Sequence, residues 1–205
     1  MNDTALLVIA KDPRPGRCKT RLCPPCRPEE AARLAAAALS DTLEIVAATP
    51  ANRRVLVLDG DDERWRRPGL EIIAQRGDGL AQRLANAFAD VDQPALLVGM
   101  DTPQLTVGLL ADGLAALACH DAALGPALDG GYWSIGLRSA DAAVFADVPM
   151  SSHETFACQR RRLAELRRST YQQPTLRDVD TIADARTVAA LAPNSRFAQT
   201  LEALW

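Results

Sequence analysis

The sequence predicts an α/β protein, a three-layer α/β/α sandwich around a mixed, mainly parallel sheet. Three observations predict it. Short apolar runs alternate with helical repeats over residues 5–117. Several runs end in glycine and aspartate, and beyond residue 120 two short strands meet at a glycine turn that favours an antiparallel pair. A chain of 205 residues can close one core, and no internal repeat or linker divides it, so residues 1–205 are expected to form a single domain.

The first run, Ala5-Leu6-Leu7-Val8-Ile9-Ala10, is continuous rather than alternating, as a strand buried on both faces requires. Pro13, Pro15, Pro24 and Pro25 then hold the chain extended and delay helix until Pro28, where Glu29 and Glu30 favour a first turn. Ala31, Leu34, Ala35, Ala38, Leu39, Thr42, Leu43 and Val46 form one stripe of a long helix. Strands follow at Val55–Leu58, Leu70–Ile73 and Ala95–Val98. Helices are expected from Leu80 to Phe88, capped by Asp78, and from Leu105 to Leu117. Ala122–Gly125 and Tyr132–Leu137 form the hairpin across Asp129-Gly130-Gly131. A basic helix over residues 154–168 and one or two helices from Ile182 to Leu204 complete the chain.

The net charge of −3 supplies no global field for nucleic acid, and 48% hydrophobic content excludes a disordered chain. No apolar run reaches the roughly 18 residues a bilayer span needs. Met1-Asn2-Asp3-Thr4 places no basic region before the first apolar run, so a cytoplasmic protein without membrane or nucleic-acid partners is expected. Five cysteines, an odd number, fit a reducing compartment. Cys23-Pro24-Pro25-Cys26 lacks a second ligand pair at zinc spacing, so free thiols are expected.

Of 23 basic residues only Lys11 and Lys19 are lysines, and both lie in one loop. Residues 11–21 carry Lys11, Arg14, Arg17, Lys19 and Arg21 against the single acid Asp12, an imbalance that suits a phosphate. Gly16 lets the backbone approach it closely. The loop is not a Walker motif, since Cys18 and Pro13 stand where that motif needs glycine. Gly77-Asp78-Gly79 is not a dinucleotide fingerprint, because Gln82 replaces its third glycine. Asp101, after the fourth strand, and Asp180 are candidate ligands for magnesium, which takes few carboxylates beside substrate phosphates. Their oxygens are expected to converge within about 5 Å, with Lys11 or Arg21 offsetting the charge. Plain alternatives are a solvated loop, an Asp101 that caps the turn before Pro103, and an Asp180 that caps the helix at Ile182. Asp129, Gly130, Gly131 and Tyr132 offer a carboxylate, flexible donors and an aromatic face for a sugar or acceptor, although hairpin chemistry alone explains the glycines. The arginines at 160–162, 167 and 168 read as a solvated helix face.

Lys11-x-Pro-x-Pro-Gly16-x-x-Lys19-Thr20-Arg21-Leu22, Gln75-x-Gly77-Asp78, Gly99-x-Asp101-x-Pro103, Asp129-Gly130-Gly131-Tyr132-Trp133 and Asp178-Val179-Asp180-Thr181 occur in the order seen in the DUF2064 family. That group is often labelled arsenosugar-biosynthesis glycosyltransferase or selenodomain-associated transferase, and it resembles the nucleotide-diphospho-sugar transferases of GT-A fold. The resemblance implies a seven-strand sheet, a divalent ion (Mg2+ or Mn2+) on Asp101 and Asp180, and phosphates held by Lys11, Gly16, Arg17, Lys19 and Arg21. It also implies a nucleotide at Gln75, Asp78 and Gly79, with Lys19 and Asp101 catalytic. The chain departs from the family pattern at Met100, Met150 and residues 182–185. The implied activity is metal-dependent transfer from a nucleotide-activated donor to a small-molecule acceptor, foremost glycosyl transfer from a nucleotide sugar. Nucleotidyl transfer from a nucleoside triphosphate, with release of pyrophosphate, is the alternative, because the dense cationic loop suits a departing pyrophosphate. A catalytically silent nucleotide-sugar binding module is the third reading.

Overall fold

The computed structural model describes residues 3–204; Met1 and Asn2, which enter the reading of the chain's start, and Trp205 lie outside them. Seven strands form one sheet: β1 (Ala5–Lys11), β2 (Arg53–Asp59), β3 (Glu71–Ala74), β4 (Ala95–Val98), β5 (Ala122–Pro126), β6 (Tyr132–Leu137) and β7 (Thr170–Gln172). Their order is β3-β2-β1-β4-β6-β5-β7. Only β6 runs antiparallel to its neighbours.

The unbroken apolar run of β1 has its reason in the layers. Leu6 and Val8 enter one core, with Leu39 and Leu43 of α1 (Pro28–Ala48) and Leu110 and Leu114 of α3 (Val107–Ala116). Ala5 and Leu7 enter the opposite core, with Leu84 and Phe88 of α2 (Gly79–Val91) and Leu163 of α4 (Thr155–Glu165). Successive residues of a strand face opposite sides, so a strand covered by helices on both faces must be apolar throughout. A third cluster joins the outer side of α1 to α5 (Ile182–Leu191) and α6 (Arg196–Glu202), through Leu34, Val188 and Phe197. Leu22 and Cys26 share that cluster, so the far end of the cationic loop is anchored in core.

Several local expectations change. The loop that prolines were expected to keep extended contains a 3-10 turn at Thr20–Leu22, in the window between Pro15 and Pro24. Asp78 stands at the N-cap of α2, but its side chain makes no capping bond; its backbone N–H donates instead to Gln82 Oε1 at 2.8 Å. Asp180 does not cap α5 either, since Thr181 accepts from the Asp184 N–H while Asp184 accepts the Thr181 N–H. Strand β7 has no apolar run to announce it: Thr170-Tyr171-Gln172 is a three-residue edge strand. None of the five cysteines forms a disulfide.

The hairpin glycines answer to packing as well as to the turn. Gly130 has φ 89°, and a Cβ there would lie 2.1 Å from the His153 carbonyl oxygen. Asp41, buried on α1, accepts the Arg196 and Phe197 N–H groups at 3.0 and 2.8 Å and so ties α6 to the first helix. Asp41→Ala leaves those two donors without their acceptor, at a cost of about 2–3 kcal/mol. The expected fall in melting temperature is about 4–10 °C by thermal unfolding, with Asp41→Asn milder.

Candidate active site

In an open parallel sheet a crevice forms beyond the carboxyl ends of the strands, where successive connections depart to opposite sides. The chain leaves β1 toward β2 and returns to β4 on its other side, so the crevice opens over the end of β1. A cleft of about 660 Å³ lies there. Lys11, Arg17, Lys19 and Arg21 form one wall, Gln75 and Gly79 a second, and Asp101, Tyr132 and Asp180 a third. Gly16, Asp78, Asp129, Gly130 and Gly131 are not part of its wall.

The cationic loop is held at both ends. Beside Lys11, Asp12 is only 7% exposed and points inward, accepting the Trp65 indole N–H at 3.0 Å and Arg14 Nε at 2.9 Å. Burial alone would raise the Asp12 carboxyl, but Arg14, Trp65 and Arg64 outweigh it and hold it below the ordinary carboxylate range. Gly60 packs against it, where a Cβ would lie 2.3 Å from Asp12 Cβ. Sequence reasoning passed over Asp12 because a lone acid in a basic loop carries no visible partner. Gly16, at φ 73° in open space, turns the loop back, and Lys19 follows in the left-handed conformation at φ 48°.

That conformation sends Lys19 inward. Its ammonium lies 2.9 Å from Asp101 Oδ1 and 3.4 Å from Asp180 Oδ1, and it donates to the Val179 carbonyl. Burial lowers the Lys19 pKa, but Asp101, Asp180 and Asp178 outweigh it and the net shift is upward. Arg21 Nη1 reaches Asp180 Oδ2 at 2.8 Å. The Val179 N–H donates to the Asp101 carbonyl at 2.9 Å, locking the two aspartate-bearing loops side by side. Asp101 and Asp180 thus share one cation, and the offset expected from Lys11 or Arg21 comes from Lys19 and Arg21. Lys11 and Arg17 make no ion pair among the described residues.

A second grouping was not read from the sequence. One oxygen each of Asp129, Asp178 and Asp180 lies within 4.8 Å of the others. Burial, then the neighbouring Asp129 and Asp180 carboxylates, pushes Asp178 up to about 6. Asp178 stood in the Asp178-Val179-Asp180-Thr181 motif without a role; the signal available was the spacing of two, which turns both acids to one side of an extended segment.

On the nucleotide side, Gln75 is spent internally: its amide donates to the Ala10 and Val57 carbonyls at 2.7 and 3.1 Å, and its oxygen accepts from Arg83. Arg83, unassigned by the sequence, also pairs with Asp59 at 2.9 Å, so it braces the wall of the cleft. On the opposite side, the Tyr132 hydroxyl donates toward Gln159 Oε1 at 3.4 Å, and burial raises its pKa. The Trp133 indole N–H is engaged by the Pro174 carbonyl at 3.0 Å, and the residue is buried in the core.

These charges set a pH dependence. The folded state binds the Asp178 proton more tightly than an ordinary carboxyl with a pKa of 3.8. The Asp178 contribution to stability is therefore intact below about pH 4 and is lost as pH rises through about 6. In EDTA, Asp178→Asn is expected to raise the melting temperature at pH 8 and leave it unchanged at pH 4. Allowing for screening of a partly exposed group, the gain is about 1–2 kcal/mol, or about 2–6 °C.

The family described as "uncharacterized protein conserved in bacteria (DUF2064)" matches residues 34–152. Among solved structures, a candidate nucleotide-diphospho-sugar transferase from Desulfovibrio desulfuricans G20 is 30% identical over 100% of this chain and 94% of that one, with a TM-score of 0.87. A nucleotidyl transferase from Methanothermobacter is 14% identical over 95% and 100% of the two chains, with a TM-score of 0.65. Rv0371c from Mycobacterium tuberculosis, in its complex with manganese, is 19% identical over 91% and 97%, with a TM-score of 0.57. No curated protein matches the sequence significantly. The fold is that of the nucleotide-diphospho-sugar transferases and nucleotidyltransferases, and the chain belongs to the DUF2064 family.

Proposed function

We propose that this chain is a divalent-metal-dependent transferase that uses a nucleotide-activated donor, acting foremost as a glycosyltransferase from a nucleotide sugar. One observation carries the reading: Asp101, Asp180 and a cationic loop converge in one cleft at the carboxyl ends of β1 and β4, and Asp129 and Asp178 group with Asp180 beside it. The donor set fits the ion. Asp129, Asp178 and Asp180 present oxygens within 4.8 Å of one another, Asp101 joins Asp180 through a shared cation, and hard carboxylate oxygens suit magnesium or manganese. An ion held there would neutralise charge on the donor's phosphates and on the leaving group.

The chain's own residues divide the remaining work. Lys11 and Arg17, without ion pairs among the described residues and on the cleft wall, bind phosphate oxygens directly. The tie from Asp12 to Trp65 and Arg14 keeps the start of the loop in place before the donor arrives, so less order is lost on binding. Gly79, at φ 78° and with nothing near its absent side chain, leaves room for the nucleoside. Tyr132 walls the acceptor side, and Asp129, which accepts the Gly131 N–H at 2.7 Å, is fixed by its own turn. The cationic loop favours the second reading, nucleotidyl transfer with pyrophosphate departing against Lys11 and Arg17.

A thermal-shift panel of nucleotide sugars and nucleoside triphosphates, with and without Mg2+, tests the reading. Ligand at about 100 times its dissociation constant adds about 2.7 kcal/mol, a shift of about 5–10 °C, and should do so only with the ion. Arg17→Ala and Lys11→Ala are each expected to weaken donor binding about tenfold to a hundredfold by calorimetry, whereas Arg161→Ala leaves it unchanged. With the donor found, release of nucleoside diphosphate marks glycosyl transfer and release of pyrophosphate marks nucleotidyl transfer. Binding without either product marks a silent module.

A further inference from the structure

Two cations compete for the one space between the facing oxygens of Asp101 and Asp180. The Lys19 side chain is 10% exposed although it borders an open cleft, and its ammonium has three donors, which meet Asp101, Asp180 and the Val179 carbonyl. No donor is left for a phosphate. Asp101 has no other ion-pair partner among the described residues, whereas Asp180 has Arg21 on its second oxygen. An ion ligated through the facing oxygens of Asp101 and Asp180 lies between them, where Lys19 Nζ stands at 2.9 and 3.4 Å. A magnesium ion sits closer still, at about 2.1 Å from each ligand, and would be driven against the ammonium by like charge.

We propose that Lys19 and the divalent ion are alternative occupants of the Asp101–Asp180 site, so that ion binding expels the Lys19 ammonium and frees it for the donor's phosphates. The inference rests on the metal-dependent reading above and adds its coupling. Without the ion, a donor meets Lys11 and Arg17 alone. Without a donor, the ion has to turn a buried lysine out of a satisfied niche. Together each removes the other's cost, and ion and donor bind with positive cooperativity. Asp129 and Asp178, which lie beside Asp180 and make no ion pair with Lys19, give an arriving ion its first foothold.

The composition supplies the assay, because Lys11 and Lys19 are the only lysines. Wild-type protein is exposed to trace acetic anhydride in EDTA, in saturating Mg2+, or in Mg2+ with inorganic pyrophosphate, and acylation is read at each lysine by peptide mass spectrometry. A lysine-containing tracer peptide added to each reaction is the internal standard, because Lys11 itself lines the cleft that pyrophosphate enters. Relative to the tracer, Lys19 is expected to be protected in EDTA, to react about tenfold faster with Mg2+, and to be protected again when pyrophosphate is added. In a second arm, Lys19→Met is expected to bind Mn2+ alone about tenfold more tightly than wild type by calorimetry, while losing the gain that Mn2+ gives to pyrophosphate binding. If Mg2+ binds wild type by calorimetry and Lys19 stays as protected as in EDTA, the exchange is wrong and the metal-dependent reading stands. If neither ion binds wild type, that reading falls and the exchange falls with it.

Discussion

Asp129, Asp178 and Asp180 gather beyond the carboxyl ends of strands whose two faces are apolar, with Asp101 facing Asp180, and like charges gathered in a partly dry place separate unless a cation joins them. In this fold the joining cation is Lys19, between Asp101 and Asp180. Its contact ties together three segments far apart in sequence: the loop after β1, the turn after β4 and the stretch before α5. The Val179 carbonyl and N–H take part on both sides, one accepting from Lys19 and the other donating to the Asp101 carbonyl. The geometry of the cleft is therefore a charge-balance problem solved with the loop that was expected to serve phosphate.

The loop's shape follows from that demand. A lysine whose backbone ran extended past the cleft would point along its rim; the left-handed turn at residue 19 redirects the stem inward, and non-glycine residues hold that conformation only where surroundings repay it. Here the repayment comes from both ends. Asp12 fastens the start to Trp65 and Arg14, and Leu22 with Cys26 sinks the end into the core between α1 and α6. Thr20–Leu22 closes into a 3-10 turn because a loop pinned so closely at both ends has to be short and tight in its middle.

Sequence reasoning reached the layers and missed the couplings. The continuous run in β1, the stripe on α1 and the glycine turn at residues 129–131 each express a local rule, burial on two faces, a helical period, a positive φ, and each appears in the structure where the rule puts it. Elements defined by long-range contact were invisible: β7 is a strand because β5 offers it an edge, not because Thr170-Tyr171-Gln172 has a pattern. The site divides the same way. Charge counting found the cationic loop, since an imbalance within eleven residues is local, whereas Asp101, Asp180 and Asp129 were singled out by their motifs and Asp178 was left without a role. It could not tell which cations face water and which face acid, and so it treated Lys19 and Arg21 as equals of Lys11 and Arg17. Asp12 and Gln75 show the converse, polar residues in a functional loop whose partners turn out to be protein.

With 21 arginines against two lysines, this chain supplies arginine almost wherever a positive charge is needed, so a lysine in the niche asks for a reason. A guanidinium is planar, with five donors in a fixed fork, and the niche offers two carboxylate oxygens and one carbonyl around a point. An arginine there would bury donors without acceptors, whereas an ammonium directs three donors at three acceptors and leaves none over. The ammonium is also a compact point charge on a flexible stem, which can leave a niche of ionic size and reach outward without reshaping the walls. The same features that make Lys19 a good internal counter-ion make it an exchangeable one, while Arg21, held at the rim by a single Nη1 contact to the other oxygen of Asp180, can remain where it is.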